Sequence, residues 1–254
     1  MLVAGGDGTI NEVINGMAMS HVPLGILPAG TANVLSIELG FGTRIEKAAR
    51  MISQCVPERI SIGRAETDVG SRYFVSMAGV GLDAQIVYDV NARLKAATGK
   101  IAYWVAGVSK FFGVMPEFDV LMGNERMRCG FALASRVRNY GGDLTIASNA
   151  SILEHDFEVV LFQGRNPLRY GMYFMGVLTR TLPSFNGVII DRARKLEIPN
   201  APDRRIYVQV DGEYAGHLPA KIETVEDALT VLMPADARTR LGVKVAEALL
   251  PAAG

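Results

Sequence analysis

Apolar residues recur at helical spacing from Thr9 to about Met19, through Ile10, Val13, Ile14 and Met17, and predict a helix there. The Met-Leu-Val-Ala segment before it reads as the end of a strand, with Gly5-Gly6-Asp7-Gly8-Thr9 as the turn between. His21-Val-Pro breaks the pattern. Leu24–Leu27 is a short apolar run read as a buried strand, and Pro28-Ala-Gly-Thr-Ala-Asn33 is a loop leading into Val34–Leu39. Thr43 is placed to cap a helix running through Ile45, Ala48, Ala49 and Ile52. Residues 1–56 thus read strand, helix, strand, helix, the rhythm of a parallel α/β sheet.

The pattern then changes. Arg59–Ala65, Tyr73–Ala78, Phe118–Met122, Met127–Ser135, Phe157–Gln163, Gly187–Ile190, Lys195–Ile198 and Ile206–Val210 are short strand-like runs punctuated by Gly, Pro and Asn. That is the signature of an all-β sandwich or curled sheet. Two helical stretches interrupt it: Asp83–Phe112, with Ile86, Val90, Leu94, Ile101, Val105 and Val108, and Pro167–Arg180, with Tyr170, Phe174, Val177 and Leu178. Strands at Lys221–Thr224 and Leu229–Met233 and an Ala-rich tail follow. The expected organisation is an α/β domain at 1–58, rejoined by part of 218–254, and a β-rich domain at 59–217. No internal repeat is evident.

Composition narrows the function classes. Lys+Arg and Asp+Glu number 26 each, so the chain lacks the basic surplus of a dedicated nucleic-acid binder, and no nucleic acid partner is expected. With 49% hydrophobic residues it is not of the disordered class. No apolar stretch approaches the ~20 residues of a membrane-spanning helix. The start shows no charged-then-apolar leader, so no signal peptide is expected. Cys55 and Cys129 are isolated and fit neither a disulfide framework nor a zinc pattern, which suits a reduced cytoplasmic compartment. His21, His155 and His217 match no metal spacing and read as surface or loop residues. Arg126/Arg128, Arg136/Arg138 and Arg192/Arg194 each sit two apart, on one face of a strand; they read as a solvated face, or as a patch facing anionic lipid headgroups. Arg93–Phe112, with Tyr103, Trp104, Phe111 and Phe112, reads as packing or as an amphipathic patch that touches lipid.

Three segments carry chemistry. Glycines at 5, 6 and 8 let the backbone turn tightly and approach a ligand, and the following helix offers free N–H groups suited to phosphate. Asp7 sits where it holds Mg²⁺ through water or positions an attacking hydroxyl. The plain alternative is an ordinary strand-to-helix turn; the Gly-Lys-Ser/Thr ending of a Walker A loop is missing. Leu27-Pro-Ala-Gly-Thr-Ala-Asn33 again follows a strand, and in a parallel sheet both loops lie at one carboxyl edge, where ligands bind. Gln209-Val-Asp-Gly-Glu213 ends an alternating strand with two acids around a glycine. Alone it is a β-turn; beside a phosphate loop it supplies the carboxylates that phosphoryl transfer uses.

In this order, Gly5–Thr9, Leu27–Asn33 and Asp211–Glu213 resemble the diacylglycerol kinase catalytic-domain family, which includes bacterial lipid kinases and sphingosine and ceramide kinases. Gly79-Val-Gly81-Leu-Asp83-Ala84, Asn139-Tyr-Gly-Gly142 and Phe157–Phe162 extend the resemblance, which runs from Val3 to about Pro234. It implies an α/β plus all-β fold: a two-domain arrangement similar to NAD kinase and 6-phosphofructokinase, with a β-sandwich-like second domain and the active site between the domains. It implies a kinase that uses ATP and Mg²⁺ and phosphorylates the hydroxyl of a membrane lipid, diacylglycerol first, with a sphingoid base or another lipid alcohol as the alternative. NAD kinase shares Gly-Gly-Asp-Gly-Thr, but the second loop and Asp-Gly-Glu resemble the lipid branch.

The resemblance also assigns roles. Gly5, Gly6, Asp7, Gly8, Thr9 and Asn11 would wrap the ATP phosphates with Gly30 and Thr31. Glu213 would be the general base, with Asp7 and Asp211 close by, organising Mg²⁺ and the nucleotide. Bacterial relatives carry a structural Mg²⁺ held by a loop aspartate and backbone carbonyls. Asp156 falls nearest that aspartate, in a Leu153-Glu-His-Asp156-Phe segment that lacks the usual Asp-Gly, and Ser148 stands where relatives often have proline. Family members normally begin with a further strand, an Asn-Pro loop and a helix. The expectation is therefore a misassigned start at Met1, an N-terminally truncated chain, or a non-catalytic remnant that binds nucleotide or lipid. The implied setting is cytoplasmic and peripheral at the inner membrane surface, with the oligomeric state open and a homodimer among the options.

Overall fold

The computed structural model describes residues 1–82, 84, 116–141, 144–199, 206–237, 239 and 241. The helix predicted over Asp83–Phe112, the aromatic patch within it, Asp83 and Gly142 of the family motifs, and the Ala-rich tail lie outside the described residues. In the first segment, β1 (Leu2–Gly5) and β2 (Gly25–Pro28) pair in parallel, with Val3 opposite Ile26. Helix α1 (Asp7–Met17) connects them and buries Ile10, Ile14 and Met17. It begins inside the glycine motif, two residues earlier than its apolar spacing predicts, because Gly6 is its N-cap. A short helix α2 (Val34–Leu39) follows the second loop. In α3 (Ile45–Met51) the N-cap is Arg44, and Thr43 does not cap it.

The remaining strands form two six-stranded sheets. One has the order β12-β11-β8-β5-β14-β15 and the other β4-β3-β16-β13-β6-β7. Their members are β3 (Cys55–Thr67), β4 (Gly70–Phe74), β5 (Met77–Gly81), β6 (Phe118–Met122), β7 (Glu125–Cys129), β8 (Phe131–Ser135), β11 (Phe157–Phe162), β12 (Val188–Ala193), β13 (Lys195–Ile198), β14 (Tyr207–Val210), β15 (Glu213–His217) and β16 (Ala220–Pro234). A separate pair joins β9 (Asn139–Tyr140) to β10 (Leu144–Thr145). One core lies between the sheets, with Phe74, Val80, Phe118, Val120, Phe157, Val159, Leu196 and Val208 among its buried members. The other face of the first sheet packs Leu133, Val160 and Phe162 against Tyr170, Tyr173 and Val177 of helix α4 (Pro167–Thr179). All six positions of β11 are buried, and every one but Glu158 is apolar, so its run does not alternate.

Two predicted strands are each split where the chain changes sheet. Tyr73–Ala78 breaks at Val75-Ser76 between β4 and β5, and Met127–Ser135 breaks at Gly130 between β7 and β8. Corners between stacked sheets need such interruptions. Conversely, the two predicted C-terminal strands are one, β16, with a register shift between Val225 and Leu229. Its second half, with the start of β3, joins the core of the first segment alongside Ile10, Ile14, Leu24 and Ile26. Leu24 donates to Thr230 O and accepts from Leu232 N–H, so β2 is tied to β16. The last strand thus shares a core with the first segment.

Candidate functional site

The two glycine-containing loops meet backbone to backbone. A Cβ at Gly30 would lie 2.4 Å from Gly6 Cα, and Ala29 N–H donates to Gly5 O at 3.0 Å. Only hydrogen at both positions permits this approach. Asn33, left-handed at φ 51°, closes the second loop on itself: its Oδ1 accepts from Gly30 N–H and its Nδ2 donates to Gly30 O, each at 2.8 Å. Its amide therefore shapes the loop and leaves exposed Gly30 and Thr31 at the tip. Asp7, in the first turn of α1, accepts from Val34 N–H at 2.8 Å and so fastens the start of α1 to the start of α2. Burial pushes its carboxyl pKa up, against the pull of the N–H donors of Val34, Asn33 and Leu35.

The hairpin β14–β15 turns through Asp211 (φ 48°) and Gly212 (φ 80°), with Val210 opposite Glu213. Positive φ at both central residues is the Asp-Gly preference of a type I′ turn. It sets Glu213 at the first position of β15, and a Cβ at Gly8 would lie 2.8 Å from Glu213 Oε1. The carboxylate of Glu213 thus rests on the first turn of α1, across 205 positions of sequence (213 − 8).

Asp211 occupies a different environment. Its Oδ1 accepts from the N–H groups of Ser76 (2.8 Å) and Met77 (3.0 Å), and its Oδ2 from Val75 N–H (2.9 Å) and Asn11 Nδ2 (3.0 Å). Three successive backbone N–H groups at the β4–β5 corner make a nest for this one carboxylate. Burial pushes its pKa up while the four donors pull the other way. With both oxygens engaged, Asp211 is built to hold the corner, the hairpin and α1 together.

Asn11 corrects an expectation. It is fully buried, donates to Asp211 and to Tyr73 O (3.0 Å), and accepts from Arg72 Nε (3.0 Å) and Asn15 Nδ2 (3.2 Å). Its side chain fixes α1 to the sheet and does not face a ligand. Asp156 is a second correction. Arg192 Nε donates to its Oδ2 at 3.0 Å and Arg192 Nη2 to its Oδ1. The carbonyls of Ile152, Glu154 and Asp156 accept from Arg136, at 2.8, 2.7 and 3.3 Å. A structural metal does not fit a loop whose acceptors already face two guanidinium groups. No group of three His, Cys, Asp or Glu placed to hold a metal occurs among the described residues.

The arginine pairs are not one solvated face. Arg136 is fully buried, and Arg138 Nη2 meets buried Glu38 of α2 at 3.0 Å, linking the second loop's helix to the end of β8. Arg126, Arg128, Arg192 and Arg194 all pair with acids. His217 lies in β15, bonded to Asp68 through its backbone N–H, and His155 Nδ1 meets Ser61 Oγ at 2.7 Å. Sequence reading missed the amides of Val75–Met77 and the partners Asn15, Arg72 and Val34. Backbone donors leave no residue-type signal, so nothing in the sequence marks the nest. Arg136 did leave one: it stands one residue, Ser135, beyond the wholly apolar run Phe131–Ala134.

Residues 1–65 match the family model described as the diacylglycerol kinase catalytic domain. A diacylglycerol kinase of Mycobacterium tuberculosis is 30% identical over 240 residues, 92% of this chain and 76% of the relative. One of Bacillus subtilis is 29% identical over 250 residues, 95% of this chain and 80% of the relative. A crystal structure of a diacylglycerol kinase from Bacillus anthracis superposes with a TM-score of 0.71 at 22% identity, covering 92% of this chain and 77% of that one. That likeness supports the α/β plus β-sandwich-like fold.

Proposed function

The chain belongs to the diacylglycerol kinase catalytic-domain family, and from that premise we propose that this lipid kinase transfers the γ-phosphoryl group of ATP to the hydroxyl of diacylglycerol, giving phosphatidate and ADP. The observation that carries the reading is the Glu213 carboxylate against the first turn of α1, beside two loops in contact at Gly6 and Gly30. The N–H groups of the Gly5–Thr9 turn and the positive end of α1 hold the phosphates, with Thr31 at the tip of the second loop. Glu213 accepts the proton of the lipid hydroxyl as its oxygen attacks the γ-phosphorus. Asp7 holds the two loops in register. Asp211 and Asn11 hold the Glu213 hairpin against α1, a positioning role. Mg²⁺ bound with the nucleotide would neutralise phosphate charge; no described cluster of acids is shaped to hold it alone.

The acceptor is met at a membrane surface, and we place the contact on α4. No helix among the described residues is long and apolar enough to cross a membrane. Leu168, Met172, Met175 and Leu178 form an exposed stripe on α4. From Val159 to Ile190 the chain has no Asp or Glu and carries Arg165, Arg169 and Arg180. An apolar stripe with Arg169 and Arg180 on the same helix and at its end, and Arg165 shared with Glu117 at 4.0 Å, suits an anionic leaflet.

The test is transfer of labelled phosphate from ATP to lipids in mixed micelles. Phosphatidate formed from diacylglycerol, in preference to products from sphingoid bases or ceramide, is the expected result. Preference for a sphingoid acceptor would replace the substrate, and no labelled lipid from any acceptor would overturn the reading.

A further inference from the structure

The segment between Asn149 and Glu158 is folded around positive charge. Arg136 is fully buried, and its Nη1 and Nη2 point to three carbonyls of this segment, those of Ile152, Glu154 and Asp156. Its Nε finds no acceptor among the described residues. Arg192 grips the rim, donating from Nη1 to Asn149 O at 3.2 Å and from Nε and Nη2 to the two carboxylate oxygens of Asp156. Glu158 closes the ends, accepting from Asn149 N–H at 2.7 Å. Converging carbonyls with one aspartate are a donor set for a hard cation. Here that centre holds a side-chain cation instead. Burial pulls the Arg136 pKa down only to about 10, so the guanidinium is charged at neutral pH.

We infer that Arg136, with Arg192 at the rim, takes the place of a divalent cation in the 149–158 loop, so that this part of the protein folds without metal. The consequence reaches the candidate site. Arg136 N–H donates to Ser76 O at 2.8 Å, and Ser76 N–H donates to Asp211. The residue that fills the loop is thus one peptide away from the nest that positions the Glu213 hairpin. A guanidinium fixed by covalent attachment keeps this link intact at any Mg²⁺ concentration. The inference concerns loop folding and stands whichever lipid is the acceptor.

Backbone hydrogen exchange on the whole chain, free of nucleotide, tests it. Peptides spanning 149–158 should be equally protected in EDTA and in millimolar MgCl₂, with an unchanged melting temperature. Protection that appears only with Mg²⁺ overturns the inference. Arg136→Met should lower the melting temperature by about 10 °C or more, because it leaves buried carbonyls unpaired. An unchanged melting temperature would count against it equally. If that variant does not fold, Arg192→Met reads the same loop from its rim: faster exchange around Asn149 and Asp156 is expected, and full protection there contradicts the assignment.

Discussion

At the scale of the residue, position 8 separates packing from chemistry. Alanine there suits the helix, worth up to about 1 kcal/mol over glycine. Its Cβ, however, would press on Glu213 Oε1, the movable end of a side chain. Gly8→Ala should leave the melting temperature unchanged or raised while kcat falls by roughly 10²-fold, the cost of an ångström-scale misplacement. Calorimetry beside the micelle assay reads both; a parallel loss of stability and activity would show that the contact is only structural. The sequence made Gly5–Thr9 and the Asp-Gly turn legible, because glycine-dependent backbone is written in residue type. Residue type alone does not distinguish Asp211 from Glu213; only the family resemblance assigns Glu213 as the base. Two acids flanking a glycine look alike until the fold gives one of them three backbone N–H groups from the β4–β5 corner. The setting of Asn11 is hidden for the same reason: its partners are Tyr73, Arg72 and Asp211, all distant in sequence.

At the scale of elements, the glycine contact between the two loops would set the width of the proposed phosphate site. Gly30→Ala must push the loops apart, because the obstructing atom is Gly6 Cα rather than a side chain. KM for ATP should rise about tenfold, the worth of ~1.4 kcal/mol, with little change in kcat. An unchanged KM would show that the second loop does not contact nucleotide. Helix α4 carries the second element-scale prediction. Met172→Glu with Met175→Glu should weaken sedimentation with phosphatidylglycerol vesicles at least about tenfold, through lost apolar insertion and added repulsion. Turnover of a short-chain, dispersed diacylglycerol should stay the same. Undiminished vesicle binding would remove α4 as the contact. The α4 span was legible, since Asn166 and Pro167 mark its start and its apolar spacing its length. The continuity of β16 was not. Polar Glu226 and Asp227 sit at its register shift and mimic a turn.

At the scale of the whole molecule, charge is arranged in two layers with opposite pH consequences. Asp68, Glu197 and Glu223 lie near the surface, and His217 N–H, Lys195 and Lys221 respectively hold their pKa values down. A lowered folded pKa gives stability that is lost as pH falls below the ordinary carboxylate range of about 4. Burial pushes Asp7, Glu158 and Asp211 up. The folded state then binds protons that the unfolded chain has released, so stability falls as pH rises from about 4 through those raised values. The melting temperature should therefore peak in mildly acid solution; a rise continuing to neutral pH contradicts the arrangement. The long strands β3 and β16, running through both cores, carry the Glu213 hairpin and α1 on one framework. The most direct measurement of the central claim is kcat for Glu213→Gln, which removes the base and keeps the shape. A loss of about 10²–10⁴-fold with an unchanged melting temperature is the expected result. Turnover close to that of the unaltered protein would contradict the assignment of Glu213 as the base.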